Sequence, residues 1–146
     1  MTGREEIVAA ARRWIGTPYC HQASACGAGT DCLGLLRGIW REVLGSEPEP
    51  TPAYSEDWSE PSGNEELLAA ASRVLVRNDT GIVEPGDVLI FRMRRGMVAK
   101  HIGIIGRGGP MTSFIHAYSG HGVVESALSE PWARRIAGHF QFPFGA

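Results

Sequence analysis

Three observations predict an α+β fold. Apolar residues recur at helical spacing only in the first half of the chain, short apolar or alternating runs parted by glycine turns fill the second half, and a proline-rich stretch separates the two. Helices first and strands afterwards imply N-terminal helices packed on a five-stranded antiparallel sheet. No internal repeat or low-complexity tract interrupts the pattern, so residues 1–146 read as a single domain.

The first helix opens with Thr2 and Glu5 in a capping-box spacing, carries Ile7, Val8, Ala11, Trp14 and Ile15 on one stripe, and stops at Gly16. GTPYCHQASACGAGT (16–30) is rich in small and turn-forming residues and reads as a loop. A second helix is predicted over 32–44, because Leu35, Leu36, Ile39, Trp40, Val43 and Leu44 lie on the same face as Cys32. Thr30 or Asp31 can cap its start, and Gly45 suits its end. SEPEPTPAYSEDWSEPSGN has too many prolines for helix or central strand; it reads as a surface connection bordering a cleft, anchored by Tyr54 and Trp58. NEELLAAAS (64–72) makes a short third helix with Leu67, Leu68 and Ala71 inward. EPGDVLIFRMRR, VAKHIGIIG, TSFIHAYSG, GVVESALS and ARRIAGHFQF then supply the five strands.

With 43% hydrophobic and 21% charged residues, the composition is that of a soluble globular protein. A net charge of −2 argues against a nucleic-acid binder. Arg92, Arg94, Arg95 and Lys100 form one basic cluster, read as a solvated hairpin tip. No segment approaches the ~20 apolar residues of a membrane span. The start, MTGREEIVAAARRWIG, lacks the basic end and apolar run of a signal peptide, so a cytoplasmic, soluble product is expected.

Cys32 falls in the first turn of the second helix, where unpaired amides and the helix dipole favour a thiolate and lower its pKa. Position alone makes it a candidate nucleophile; the competing reading is a small buried hydrophobe. With Cys20 and Cys26 it completes an odd set that fits a reducing compartment. Their spacing, C-x5-C-x5-C with His21 alongside, lacks the close pairs of zinc sites, although a Cys/His metal-binding adaptor stays open as an alternative. A cysteine nucleophile needs an imidazole, and usually a third group to orient it. Of the histidines, His101 and His116 lie within strands, whereas His121 and His139 sit in turn or late-strand positions and look incidental.

TDCLGL before a helical run, EPGDVLIF before the next strand, KHIGIIG about 70 residues after the cysteine and FIHAYSG 15 further on resemble, in this order, the NlpC family of cell-wall cysteine peptidases. The resemblance runs from GTPY to the last strand. It implies a papain-like fold, Cys32 as nucleophile, His101 as base and His116 as the residue orienting His101. Tyr19 matches a family tyrosine beside the active site, placed to bind substrate or oxyanion or else packed on the core, and Asp31 matches the residue that caps and registers the cysteine. The chemistry implied needs no metal or organic cofactor, and its substrates are peptide bonds in peptidoglycan stem peptides. YCHQ stands where the family carries glycines, and Leu33 where it carries serine. GTPYCHQAS and DCLGLLRGIWRE are similar to the branch attached to phage-like tails and gene transfer agents. That branch implies tail-tip or hub proteins as partners and action at the envelope, or periplasm, of a recipient cell. An inactive structural or binding module of the tail tip is the alternative.

Overall fold

A computed structural model describes residues 3–51, 54 and 63–144. Helix α1 (Gly3–Arg13) places Glu5 and Glu6 in its first turn and Arg12 and Arg13 in its last, charges that suit the two ends of the helix dipole. It buries Ile7, Val8, Ala10 and Ala11. Thr2, half of the expected capping box, lies outside the described residues. The stripe also ends earlier than expected: Trp14 is buried, but Ile15 is 45% exposed. The chain has left the helix by then and turns so that the Gly16 amide donates to the Val123 carbonyl at 3.0 Å.

A two-stranded hairpin, β1 (Ser24–Ala25) with β2 (Gly29–Thr30), leads into α2 (Cys32–Val43). Helix α2 buries Leu35, Leu36, Ile39 and Trp40. The proline-rich connection is described at its start, at Tyr54 and at its last two residues; the expected anchor Trp58 lies outside the described residues. Helix α3 (Glu66–Val74) follows, with Leu67 and Ala71 buried and Leu68 half-buried at the rim of the core.

The remaining strands are β3 (Val76–Arg77), β4 (Asp87–Arg92), β5 (Ala99–Arg107), β6 (Ser113–Tyr118), β7 (Gly122–Ala127) and β8 (Ile136–Gln141), with a short helix α4 (Glu130–Ala133) before β8. They form one antiparallel sheet in the order β3-β8-β4-β5-β6-β7. The five expected strands are β4 to β8. The sixth, β3, has two residues, too few to show an alternation, and pairs with the edge of β8.

Strands β4 and β5 lie in the middle and are buried along nearly their whole length, which explains why DVLIF and IGII read as apolar runs. On one face Val88, Ile90, Ile102, Ile104 and Ile115 pack against α1 and α2. On the other, Leu89, Phe91, Ile105 and Phe114 form a smaller cluster covered by Leu128, Trp132 and Ile136. At the β4–β5 turn Arg94 and Arg95 are exposed as expected, but Arg92 pairs with the Glu65 carboxylate and donates to the Met97 carbonyl at 2.7 Å.

Candidate active site

Asp31, buried beneath the loop, settles where α2 begins. One carboxylate oxygen accepts from the Gly34 amide at 2.7 Å, which makes Asp31 the helix cap. The other accepts from the Gln22 amide at 2.7 Å and from the Tyr54 hydroxyl. Thr30 is held from the far side, its amide donating to Pro18 and its carbonyl accepting from Cys20, each at 3.0 Å. The glycine of D-C-x-G has a steric cause: a Cβ on Gly34 would sit 1.9 Å from the Ala23 carbonyl oxygen. Loop and helix therefore close on each other without a side chain between them, and Cys32 is fixed in the first turn.

On the sheet, β5 carries an extra residue where it meets the site. Phe91 pairs with His101 and Arg92 with Ala99, so Lys100 is the inserted residue of a β-bulge immediately before His101. On its other side β5 stays registered with β6 only as far as Ile104 opposite Ile115, although its pairing with β4 continues to Ala99. The start of α2 meets β5 along this unpaired stretch. The Cys32 thiol donates to the Lys100 carbonyl at 3.7 Å, and the Ile102 amide donates to the sulfur. Sulfur is thus held by the main chain on both sides of His101.

The two strand histidines meet directly: His101 Nε2 and His116 Nδ1 are 2.7 Å apart, and His116 Nε2 lies 2.9 Å from the Ser126 hydroxyl on β7. The glycine of H-x-G is again steric, because a Cβ on Gly103 would fall 2.6 Å from the Phe114 ring that backs His116. Burial lowers the pKa of His101 to about 3, with the neighbouring His116 adding to the effect. Burial likewise lowers His116 to about 4, with a contribution from His121. Both rings are neutral at physiological pH.

The thiol departs from expectation. Its place at a helix start favours the thiolate, and amides of Ile102, Leu33 and Cys32 act in that direction, but burial and the Asp31 charge outweigh them and push the pKa up to about 12. The resting site is therefore a neutral thiol beside neutral imidazoles.

Tyr19 is half-buried, pairs with Thr30 through its backbone and packs its ring against the main core. His21 contacts Tyr54, its Nε2 being 3.0 Å from the Tyr54 carbonyl. Gln22 has a left-handed backbone (φ 65°), as befits a position where glycine is usual, and its side chain also donates to the Tyr54 carbonyl at 2.6 Å. Tyr54 is the loop anchor it was expected to be. Leu33, beside the nucleophile position, lines a cavity of about 510 Å³ between α2, the 47–51 segment and α3. Cys20 and Cys26 are exposed free thiols, and among the described residues no group of three or more His, Cys, Asp or Glu side chains clusters as metal ligands do.

His121 stacks on Tyr118 at 5.1 Å. His139 lies at the other end of the sheet, its Nε2 donating to the buried Asp87 carboxylate at 2.7 Å. Sequence reasoning missed Ser126, whose partner lies on another strand, and Trp132, whose ring centroid is 5.6 Å from that of His101 and 5.3 Å from that of His116. Pro131 at the start of α4 was the only local sign that a short helix presents this tryptophan.

No family model matches the chain. It is 30% identical over 124 residues to the murein DD-endopeptidase MepS/murein LD-carboxypeptidase of Escherichia coli K12, covering 84% of this chain and 54% of that protein. It is 29% identical over 137 residues to the gamma-DL-glutamyl hydrolase of Bacillus subtilis 168, covering 93% of this chain and 29% of that one. The chain thus spans about half the length, or less, of these curated relatives. Among solved structures, the NlpC/p60 domain of the peptidoglycan hydrolase SagA aligns with a TM-score of 0.60 at 22% identity, over 97% of this chain and all of that one. An NlpC/P60 protein from Bacillus cereus aligns with a TM-score of 0.65 at 18% identity, over 95% of this chain and 40% of that one. The chain has the NlpC/P60 fold.

Proposed function

We propose that the chain is a cysteine peptidase of the NlpC type that hydrolyses peptide bonds in peptidoglycan stem peptides. The observation that carries this reading is the Cys32 sulfur held by the main chain on both sides of His101, next to the hydrogen-bonded run from His101 through His116 to Ser126. His101 Nε2 is engaged by His116, which leaves Nδ1 as the nitrogen able to take the thiol proton. That requires the His101 proton on Nε2, donated to His116 Nδ1, and the His116 proton on Nε2, donated to Ser126. Each donor then meets an acceptor, and the lone pair falls on the nitrogen the reaction needs.

Because the resting pair is neutral, proton transfer accompanies attack. The sulfur adds to the substrate carbonyl as His101 takes the proton, the Cys32 amide at the helix start stabilises the oxyanion, and the tetrahedral intermediate collapses to a thioester while His101 protonates the departing amine. Water activated by His101 then hydrolyses the thioester and regenerates the thiol. Asp31 and Tyr19 support this centre, Asp31 by fixing the helix start. No step uses a metal or cofactor.

The relatives named for murein and γ-glutamyl hydrolysis support the substrate class. Replacing Cys32 by Ala is expected to reduce muropeptide release from purified sacculi to background, and undiminished release overturns the reading. A second consequence is that iodoacetamide near pH 7 modifies the exposed Cys20 and Cys26 before Cys32 in the resting protein.

The same reading extends to delivery in a phage-like tail or gene transfer agent, acting at the envelope of a recipient cell with tail-tip or hub proteins as partners. It rests on the resemblance of GTPYCHQAS and DCLGLLRGIWRE to that branch. Copurification with tail proteins supports it; a freely secreted monomer counts against it.

A further inference from the structure

Two rings contact both histidines, Tyr118 from the end of β6 and Trp132, and Trp132 alone of the two comes from outside the strands. Its centroid lies 5.3 Å from His116 at an interplanar angle of 79° and 5.6 Å from His101 at 32°. Phe114, Phe91 and Tyr118 surround it at 5.1, 5.3 and 5.8 Å. The Arg135 guanidinium lies 5.8 Å from the same ring. The indole is half-buried, whereas His101 and His116 are only 6% and 1% exposed. It is presented by the short helix between β7 and β8, so removing it uncovers the histidines without touching the strands that carry them.

We propose that Trp132 is a positioning residue that seals the His101–His116 hydrogen bond from water and braces the two rings against each other. The proposal deepens the peptidase reading and rests on it for its functional meaning. Water competing for either ring nitrogen would allow the wrong tautomer, with a proton on the His101 nitrogen that must accept one. An apolar ring over the bond removes that competition. The depressed histidine pKa values have the direction such a seal produces. Among the described residues, the other polar groups facing the pair are Tyr118 and His121 from the end of β6 and its turn and the Ser126 hydroxyl from β7, with the Cys32 thiol of α2 held on the main chain either side of His101 and Arg135 near the indole.

The test is an NMR titration of the imidazole nitrogens in Cys32→Ala protein, which reads the histidines whether or not the chain cleaves peptidoglycan. Trp132→Ala is expected to raise the midpoints of both His101 and His116 by about one pH unit or more toward the ordinary value. Trp132→Phe preserves an aromatic ring in the cluster and is expected to give a smaller rise of the same sign, so it carries the test if the alanine variant does not fold. Histidine titrations in folded Trp132→Phe that superimpose on the parent overturn the proposal, even if the melting temperature falls, because a purely structural role would move stability alone. In protein retaining Cys32, the acid limb of the hydrolysis profile should move to higher pH with the same substitutions. Absence of hydrolysis in the parent protein would count against the peptidase reading and leave the titration result standing.

Discussion

Two histidines of this sheet are treated in opposite ways. At one end His139 donates to Asp87, which is fully buried and also accepts from Arg4 at 2.6 Å and from the Glu84 amide at 2.9 Å. At the other end His101 meets another imidazole, itself bonded to a hydroxyl, with aromatic rings around both. A carboxylate beside an imidazole fixes charge in place. An imidazole beside an imidazole fixes none, and the hydroxyl at the far end lets each ring keep a single proton. The EPGD motif thus serves the fold, joining α1 to β4 and β8, and the KHIG and FIHA motifs supply a hydrogen-bonded pair of buried rings without a carboxylate.

The most severe way to break the comparison is to remove the fixed charge. Asp87→Ala leaves Arg4 and His139 without their carboxylate and is expected to cost about 3–5 kcal/mol in urea unfolding. An unchanged midpoint would mean that the charged end does not hold the fold.

Next comes pH. His101 and His116 have folded pKa values of about 3 and about 4 against an ordinary 6.5, so below pH 6.5 the unfolded chain binds protons that the folded chain refuses. Stability should therefore fall as pH drops from about 6.5 toward 4, by up to about 1.4 kcal/mol per pH unit for each histidine. His116→Gln should reduce the slope by roughly half. On the alkaline side the sign is reversed. Above about pH 9 the unfolded chain loses a thiol proton that buried Cys32 retains to about 12, so stability falls again. Thermal melts across pH check both limbs.

A smaller effect is expected from Asp31→Ala, which removes the cap of α2 and should cost about 1–2 kcal/mol. The smallest belongs to a pair at neither end: Arg134→Ala breaks the exposed bridge to Glu130 and should change stability by no more than about 0.5 kcal/mol.

Local signals carried much of this architecture. The α2 stripe, the Asp31 cap and the five main strands follow from periodicity and turn chemistry, and His101 and His116 stand on neighbouring strands, as the motif resemblance implied. What sequence could not disclose depends on parts of the chain far from one another. The thiol titrates upward because the β5 strand and the packed core desolvate it, whereas the helix start that suggested a thiolate is visible within four residues. Ser126 and Trp132 reach the histidines only after β6, β7 and the connection to β8 have folded back. Ile15 continues the α1 spacing in the sequence, yet the turn toward Val123 takes it out to solvent.

The bulge at Lys100 makes the site depend on parity. Side chains alternate between the two faces of a strand, so removing that single residue would transpose every position from one side of it relative to the other. His101 to Ile104 are held in register with Phe91 to Val88, so the change would fall on Ala99 and the hairpin and on the Lys100 carbonyl that accepts from the Cys32 thiol. Deletions or insertions in the β4–β5 hairpin are therefore tolerable only where they leave this odd residue in the strand, and variation in length there belongs to the turn.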